Sequence, residues 1–344
     1  MAKQGVLVVN LGTPPALSKK SVRQYLREFL SDPRVIDLPA VVRYILLYGV
    51  ILPFRPQKTL AAYQAIWQAE GSPLMVGTKQ LCDKLQAQLG ADVDVVMAMR
   101  YASHSIASGL SRLQHCKAIT VLPLFPQYAS ATTGSVLEQV YTILAQKNYV
   151  MPIRVVPEYY DNPAFITPSA AIVKQFLASN PVDHVLFSFH GLPVRHIQQS
   201  GCGVVGSGCT ICPPVSRVNQ RCYRAQCFAT ARAIAAQSDL VGADYTVSFQ
   251  SRLGKTPWIE PYTDQVLEVL YAKGVRRLAI TCPSFVVDCL ETLEEIGLQL
   301  KSAWKELGGE AFMLIPCVND HDAWVQGCVD LLANADRCDA EKSA

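Results

Sequence analysis

The strongest constraint on the fold is an alternation along the chain between short apolar runs and longer segments with helical periodicity. Several of the runs consist almost entirely of Val, Ile and Leu, which is typical of parallel strands covered on both faces. Strands spaced by helices predict βαβ units in doubly wound sheets. The predicted strands span residues 5–10, 93–99, 117–124, 151–156, 184–189, 245–249, 277–281 and 311–315.

The predicted strands divide four and four, which indicates two α/β domains. We expect a first domain over residues 1–165, a second over 166–315, and a C-terminal helix and tail over 316–344. Residues 198–216 fit neither period and are rich in Gly and Cys, so they are expected to form an insertion. Because ligands of open α/β sheets bind beyond the carboxyl ends of the strands, chemistry is expected there.

Composition argues against several functions. The chain of 344 residues is 50% hydrophobic, carries a net charge of +3 and has no basic run, which does not favour nucleic-acid binding. It shows no signal-peptide pattern and no run of about 18 apolar residues, which predicts a cytoplasmic protein. The nearest approach to such a run, residues 38–54, is interrupted by Arg43. A buried helix and a surface that contacts a membrane both stay open for this segment.

A histidine ends one of the predicted strands. His190 follows strand 184–189 and precedes Gly191 and Pro193, so its imidazole is well placed to face a cleft. Imidazole binds first-row metals and accepts protons near neutral pH. A structural histidine with satisfied hydrogen bonds is the alternative interpretation.

Acidic residues follow another predicted strand. Asp288, Glu291 and Glu295 are three and four residues apart, so they are expected to share one face of a helix. A solvated acidic face at the start of a helix is the alternative interpretation. In one cleft with His190, these carboxylates could bind a divalent metal without holding it tightly, and could accept protons.

Eight segments of the chain resemble the ferrochelatase family, whose members insert Fe²⁺ into a porphyrin to make haem. Each segment is modest alone, but their order and spacing extend over nearly the whole chain. The segments are VLVVNLGTP (6–14), REFLSDPRVIDLP (27–39), GSPL (71–74), MRYAS (99–103), LPLFPQYASATTGS (122–135), FSFHGLP (187–193), SFQSRLGKTPWIEPYTD (248–264) and DCLETLEEI (288–296).

The resemblance implies two similar Rossmann-like domains, each a four-stranded parallel sheet flanked by helices, with a porphyrin cleft between them. His190 would be the metal-site and proton-accepting histidine, and Glu291 the catalytic glutamate that faces it across the macrocycle. Asp288 and Glu295 would form an acidic path that delivers metal or removes protons. The implied substrates are Fe²⁺ and protoporphyrin IX, because Leu11 stands where coproporphyrin-using relatives carry Tyr.

The resemblance also implies contacts to the porphyrin and to a membrane. Arg55 follows the apolar segment 38–54, which in the family is a lip of the cleft and could contact a membrane. Ser284 stands where the family usually has Gly, which predicts strain if that position needs a positive φ. Ordinary packing is the alternative role for the tryptophan of the porphyrin set. The implied porphyrin contacts are Leu11, Tyr128, Thr132, Thr133, Gly134 and Trp258.

Five of the 12 cysteines crowd into one segment. A CxxC with further nearby cysteines is a metal-thiolate pattern that can hold zinc or an iron–sulfur cluster. The chain resembles ferrochelatases that carry a [2Fe–2S] cluster through an internal cysteine-rich segment, and this favours that cofactor over zinc. Cys227 falls within a helical pattern and is kept as an alternate. The predicted ligands are Cys202, Cys209, Cys212 and Cys222.

Other functions stay open from the sequence. A chelatase for another metal such as Co²⁺ would use the same side chains. An iron–sulfur sensor or a tetrapyrrole-binding protein on the same scaffold is a non-catalytic alternative, although the presence of both His190 and Glu291 counts against it. A nucleotide-dependent enzyme has only a weak glycine pattern at residues 201–206 in its favour. The sequence predicts no oligomeric state.

Overall fold

A computed structural model of the chain describes residues 3–202, 212–254 and 256–340. Eight strands in the described residues form two sheets of four, and every pairing between neighbouring strands is parallel. This confirms the predicted fold class, and every predicted strand is present. The strands are β1 Gln4–Thr13, β2 Val93–Ala102, β3 Ala118–Pro123, β4 Ile153–Val155, β5 His184–His190, β6 Tyr245–Gln250, β7 Arg277–Thr281 and β8 Ala311–Leu314.

The two sheets have the same topology. The strand order is β2-β1-β3-β4 in the first sheet and β6-β5-β7-β8 in the second. β1 and β5 therefore each lie between two neighbours, and six of the seven residues of β5 are buried. A strand buried on both faces must be almost wholly apolar, which is why these runs stand out in the sequence.

The helices lie between the strands, as the alternation predicts. Two helices begin later than their sequence patterns indicate. Helical periodicity over residues 217–237 and 286–307 predicts a helix in each segment, but the first helix begins only at Tyr223 and the second at Leu290. The α-helices are α1 Lys19–Ser31, α2 Ala40–Ile45, α3 Leu52–Ile66, α4 Pro73–Leu89, α5 Ile106–Arg112, α6 Ser135–Ala145, α7 Pro163–Ser179, α8 Val194–Gln199, α9 Tyr223–Gln237, α10 Thr263–Ala272, α11 Lys301–Glu306 and α12 Asp322–Ala340.

Three segments adopt the wider π-helix, whose hydrogen bonds join residues five apart. Leu46–Ile51 connects α2 to α3, Ser130–Gly134 follows β3, and Leu290–Leu300 follows β7. Isolated π-turns occur often at functional sites, because they re-aim side chains without ending the helix. The last two π-helices follow β3 and β7, the third strand of each sheet along the chain. The ends of these strands are therefore candidates for a functional site.

The chain divides into two compact units. The first unit contains residues 1–125, 129–157 and 320–344, and the second contains 126–128 and 158–319. Helix α12 returns to the first unit, where Lys84 Nζ of α4 lies 2.9 Å from the Asp322 carboxylate. The domain limits expected at residues 165 and 315 stay predictions. The chain passes from the first compact unit to the second after residue 157 and returns to the first after residue 319.

Each unit has its own apolar core around its sheet. Leu7, Val9 and Val121 are fully buried in the first core, and Leu186 and Ile280 are fully buried in the second. Burying each such side chain stabilises the fold by about 1.5–3 kcal/mol. These cores hold the central strands firmly, so the residues at the strand ends have defined positions.

Candidate active site

His190 is the last residue of β5, and its ring orientation follows from a local contact. His190 Nδ1 lies 2.6 Å from the carbonyl oxygen of Gly191. Since a carbonyl oxygen can only accept, Nδ1 carries the hydrogen in the neutral ring and Nε2 carries the lone pair. The imidazole therefore offers Nε2 to a metal ion or a proton.

The backbone of His190 is held on both sides by side chains. The backbone N–H of His190 donates to Ser284 Oγ at 3.0 Å, and the Tyr223 hydroxyl donates to the His190 carbonyl at 2.8 Å. The strain expected at Ser284 is absent, because Ser284 is not among the described non-glycine residues with positive φ. The serine that replaces the family's usual glycine instead provides a hydrogen-bond acceptor for the strand end.

Glu291 lies in the first turn of the π-helix Leu290–Leu300, and its backbone is tied to the sheet through Gln250. Gln250 stands opposite His190 in the β5–β6 pairing. Its Nε2 donates to the carbonyl oxygen of Glu291 at 2.8 Å, and its Oε1 accepts from Ser188 Oγ at 2.7 Å. One glutamine thus links the strand ends to the helix that carries the glutamate.

Glu295 lies one turn further along the same helix and is held by Ser251. The backbone N–H and the hydroxyl of Ser251 donate to the two carboxylate oxygens at 2.8 and 2.5 Å. Burial raises the pKa of Glu295, an effect that the Ser251 hydrogen bond and the charge of His190 oppose and the charge of Glu291 reinforces. The Glu295 carboxyl thus interacts electrostatically with both His190 and Glu291.

Ser251 has a strained backbone conformation. Its φ is +67°, a region that costs a non-glycine residue of the order of 1 kcal/mol or more. This conformation presents the N–H and the hydroxyl of one residue to the same carboxylate. Such strain is found where the surrounding structure imposes it, often at functional sites.

Asp288 does not share the helical face predicted for it. The π-helix begins at Leu290 with Cys289 as its N-cap, so Asp288 precedes the helix. Its carboxylate accepts hydrogen bonds from Asn319 Nδ2 at 2.8 Å and from Thr292 Oγ1 at 2.9 Å. The prediction of one acidic helical face is therefore wrong for Asp288 because the chain turns before the helix starts, whereas Glu291 and Glu295 share the helix.

Trp258 lies near the histidine in the second unit. The ring centroids of Trp258 and His190 are 6.4 Å apart, and Trp258 Nε1 donates to the Leu253 carbonyl at 3.0 Å. Gly191 lies beside them, and a Cβ there would come within 3.2 Å of the Trp258 ring and 2.8 Å of the Gln250 carbonyl oxygen. Only glycine fits this close approach at position 191.

The remaining predicted porphyrin contacts fall in both units. Leu11 is half-buried near the end of β1. The π-helix Ser130–Gly134 contains Thr132, whose hydroxyl donates to the Ala129 carbonyl at 3.4 Å, and the buried residues Thr133 and Gly134. Tyr128 belongs to the second unit, where its backbone N–H donates to Gln226 Oε1 at 2.7 Å.

Four of the five cysteines of the cysteine-rich segment lie within the described residues, and Cys209 lies outside them. Cys222 caps the start of α9, and burial raises the pKa of its thiol to about 11, with Cys202 as a hydrogen-bond partner. The buried Cys227 thiol interacts electrostatically with Cys222 and Cys212. These four thiols therefore gather around the first turns of α9.

The sequence did not indicate three residues that support the site: Gln250, Ser251 and Tyr223. Gln250 and Ser251 stand at the carboxyl end of β6, where the strand-end rule could have found them. Tyr223 begins α9, and no pattern in the sequence connects it to His190. Its contact depends on how α9 packs against the sheet.

The two-sheet α/β fold is similar to that of solved chelatases. The solved structure of SirB from Bacillus subtilis with Fe³⁺ is similar in fold, with a TM-score of 0.53 over 97% of this chain and 95% of that one, at 11% identity. A family model of ferrochelatases matches residues 3–336. The chain belongs to the ferrochelatase family.

Curated relatives agree over nearly the full length. The ferrochelatase of Legionella pneumophila (strain Paris) is 48% identical over 328 residues, which are 94% of this chain and 97% of that protein. The ferrochelatase of Coxiella burnetii (strain CbuK_Q154) is 47% identical over 326 residues, 94% of this chain and 91% of that protein. The matched region includes both strand ends of the site.

Proposed function

We propose that this chelatase inserts Fe²⁺ into protoporphyrin IX to form protohaem, with His190 and Glu291 as the catalytic pair. The observation that carries the proposal is the half-buried Glu295 carboxyl, held by Ser251, which interacts electrostatically with His190 at the end of β5 and with Glu291 in the helix that follows β7. A chelatase must deliver a divalent ion and remove two pyrrole protons. An imidazole and two carboxylates supply both functions.

The proton balance assigns a role to each group. Free protoporphyrin carries two pyrrole N–H hydrogens, and both leave as Fe²⁺ forms its bonds to the four nitrogens. The Nε2 lone pair of His190 is suited to accept one proton or to bind the arriving ion. Glu291 supplies a carboxylate in the first helical turn, and Glu295, with its raised pKa, is suited to take up a proton and pass it outward.

The ligand atoms of these groups are more widely spaced than those of a closed metal shell. The side chains of His190, Glu291 and Glu295 do not bring their ligand atoms all within 4.8 Å of one another. A tight tetrahedral site would hold the ion against transfer. An open arrangement favours release of Fe²⁺ to the macrocycle nitrogens.

Six residues are proposed to contact the macrocycle. Leu11 would pack against it and favour protoporphyrin IX, and the Trp258 ring would close over it beside His190. Thr133 has a buried hydroxyl with no hydrogen-bond partner among the described residues, so a ligand carboxylate could supply one. The set is Leu11, Tyr128, Thr132, Thr133, Gly134 and Trp258.

The direct test is anaerobic incubation of the protein with Fe²⁺ and protoporphyrin IX, followed by the absorption spectrum of haem. We expect haem formation by the wild type and none by His190→Ala, which should still bind porphyrin as measured by fluorescence quenching. Retained turnover in His190→Ala would overturn the assignment. Faster insertion into coproporphyrin III than into protoporphyrin IX would overturn the substrate assigned from Leu11.

We further propose that the cysteine-rich segment holds a [2Fe–2S] cluster through Cys202, Cys209, Cys212 and Cys222, with Cys227 as alternate. The described thiols fit such a group, because they gather at α9 and Arg224 Nη1 donates to Cys212 Sγ at 2.8 Å. A guanidinium hydrogen bond to sulfur offsets the negative charge of a thiolate ligand. A bound cluster would supply a one-electron redox centre and a covalent brace.

The cluster is tested on protein purified without oxygen. Visible absorption and Mössbauer spectra should show one [2Fe–2S] centre in the wild type, lost in Cys222→Ser and kept in Cys82→Ala, which alters a buried thiol of α4 in the first unit. A colourless protein that contains zinc would refute the cluster. Retention of the full spectrum in Cys222→Ser would move the fourth ligand to Cys227.

We also propose that residues 38–54 contact a membrane surface. In the described residues, no helix is long and apolar enough to cross a bilayer. Val41, Tyr44 and Ile45 on α2 and Phe54 on α3 are nevertheless 62–77% exposed. Exposed apolar side chains of this density mark interaction surfaces.

Vesicle co-sedimentation tests the membrane contact. Wild-type protein should sediment with phosphatidylglycerol vesicles, and the double variant Ile45→Ser with Phe54→Ser should bind at least fivefold less. Tyr149→Ser is the matched control, because Tyr149 is 75% exposed in the first unit but lies outside this segment. Equal binding by all three proteins would contradict the proposal.

A further inference from the structure

One corner of the first unit brings together a carboxylate, an imidazole and a thiol. Asp94 is the second residue of β2, and His115 and Cys116 lie just before β3. His115 Nε2 is 2.6 Å from Asp94 Oδ2 and 3.7 Å from Cys116 Sγ. Among residues 3–202, 212–254 and 256–340, this is the only group of three or more His, Cys, Asp or Glu with all ligand atoms within 4.8 Å.

We propose that Asp94, His115 and Cys116 form a second, peripheral site for a divalent ion of the Zn²⁺ type. Oxygen, nitrogen and sulfur donors together match the ligand preference of Zn²⁺ and of its spectroscopic substitute Co²⁺. The site lies at the amino ends of the strands, the opposite edge of this sheet from the strand carboxyl ends. The residues assigned to iron insertion belong to the second unit, so the two sites are distinct.

The spacing of the donor atoms suits a tetrahedral ion after one small movement. Ligand atoms about 2.0–2.3 Å from Zn²⁺ lie about 3.3–3.8 Å from one another in a tetrahedron. The nitrogen-to-sulfur distance of 3.7 Å already meets this requirement, whereas the nitrogen-to-oxygen distance of 2.6 Å must open. The His115 side chain is 55% exposed and can turn to open it, and solvent can supply the fourth ligand.

A glycine leaves room for the thiol beside Asp94. Gly5 of β1 pairs directly with Asp94 of β2. A Cβ on Gly5 would come within 3.3 Å of Cys116 Sγ and 3.2 Å of Ile119. The missing side chain lets the sulfur lie against the strand pair that carries the carboxylate.

Lys3 competes with an ion at this site and gives the proposal its most specific test. Lys3 Nζ lies 2.6 Å from Asp94 Oδ1, the oxygen that does not face His115. An ammonium at this distance repels a divalent cation and partly neutralises the carboxylate that would bind it. Removing it should strengthen metal binding, an effect that a nonspecific surface site would not show.

The experiment measures Zn²⁺ binding to the full-length protein by competition with a chromophoric indicator, and Co²⁺ binding by absorption. We expect the stoichiometry to fall by one ion in Asp94→Asn, His115→Gln and Cys116→Ser, with loss of one set of thiolate-to-Co²⁺ charge-transfer bands in Cys116→Ser. Lys3→Met should tighten Zn²⁺ binding about tenfold at low salt. His115→Gln can still hydrogen-bond to Asp94, so it removes the ligand while retaining that contact.

The matched control is His104→Gln, which removes another exposed histidine of the first unit. It should bind the same number of ions as the wild type, and His115→Gln should form haem at the wild-type rate. Equal Zn²⁺ stoichiometry in the wild type and His115→Gln would overturn the site, as would an unchanged affinity in Lys3→Met. If every variant lost haem formation, the substitutions would have damaged the fold rather than only the peripheral site. Circular dichroism of each variant distinguishes these two cases.

Discussion

The two units have the same strand order and a π-helix after the third strand, yet their first strands end differently. β1 ends in Leu11, Gly12 and Thr13, whereas β5 ends in His190. Gly12 has a φ of +117°, and a Cβ there would come within 2.3 Å of the Tyr101 carbonyl oxygen. The first strand end thus allows a close backbone approach, whereas the second carries an imidazole.

The π-helices that follow β3 and β7 also differ in the side chains that they carry. The five residues of Ser130–Gly134 carry hydroxyls and a glycine, whereas the eleven residues of Leu290–Leu300 carry Glu291 and Glu295. Hydroxyls and backbone N–H groups can hold a ligand's carboxylates, while carboxylates can move protons and metal ions. Under the proposed function, the segment after the third strand supplies groups that bind the ligand in the first unit and reactive carboxylates in the second.

The largest expected effect comes from exchanging a reactive group for an isostere. Glu291→Gln keeps the size of the side chain and its backbone contact to Gln250, but removes the negative charge. We expect kcat for haem formation to fall by about 10²–10⁴-fold, the usual contribution of a general base. Stopped-flow or steady-state assays with Fe²⁺ and protoporphyrin IX measure this.

The counterpart in the first unit is Thr133→Val, which removes a buried hydroxyl at nearly constant volume. It should raise KM for porphyrin by less than about tenfold and leave kcat nearly unaltered. A group that binds the substrate and the transition state equally well affects KM alone. A larger kcat loss in Thr133→Val than in Glu291→Gln would break the proposed division between the two halves.

A smaller effect is expected at Ser251, which holds the Glu295 carboxylate with two hydrogen bonds. Ser251→Ala removes the hydroxyl and should lower kcat about tenfold, since one hydrogen bond to a charged group contributes about 1.5–3 kcal/mol. Ser251→Thr should restore most of the rate. Ser251→Gly relieves the strain of the positive φ, so it should be more stable than Ser251→Ala while equally slow.

Tyr223→Phe tests the backbone support of His190 with an effect of a few-fold. The hydroxyl donates to the His190 carbonyl, and its hydrogen bond to the Cys227 thiol connects the cysteine-rich segment to the metal-site strand. Loss of the hydroxyl should raise KM for the metal about three- to fivefold with little change in KM for porphyrin. Tyr271→Phe, which alters a tyrosine of α10 that packs against Trp304, is the control.

The sequence predicted the strands and the histidine because both depend on simple periods and on one topological rule. The run 184–189 must be apolar to lie between β6 and β7, and its end must then face the ligand edge. The π-helical hydrogen bonding could not be predicted, because a shift from four- to five-residue spacing leaves no mark in a short acidic stripe. Asp288 was misplaced for a different reason, because the chain turns before the helix begins at Leu290. The positive φ of Ser251 depends on tertiary contacts that no local pattern records.

The last prediction concerns one carboxyl in each half, the buried Asp32 and the half-buried Glu295, whose pKa values move in opposite directions. Burial would raise the pKa of Asp32, but hydrogen bonds from Ser135 and Tyr101 and the charge of Arg100 outweigh it, so the pKa is lowered. For Glu295, burial prevails and the pKa is raised. Folding therefore favours the charged form of the first group and the protonated form of the second.

These shifts give stability effects of opposite sign. The stabilisation from Asp32 is present above its unfolded pKa and is lost as pH falls, so Asp32→Asn should lower Tm by about 2–4 °C at neutral pH and by less in acid. Ionising Glu295 costs stability once pH exceeds its unfolded pKa, so Glu295→Gln should raise Tm by about 1–2 °C at neutral pH and lose that gain in acid. Calorimetry of both variants from pH 4 to pH 8 measures the two trends. Tm changes of the same sign in both variants would contradict the prediction that folding favours the charged form of Asp32 and the protonated form of Glu295.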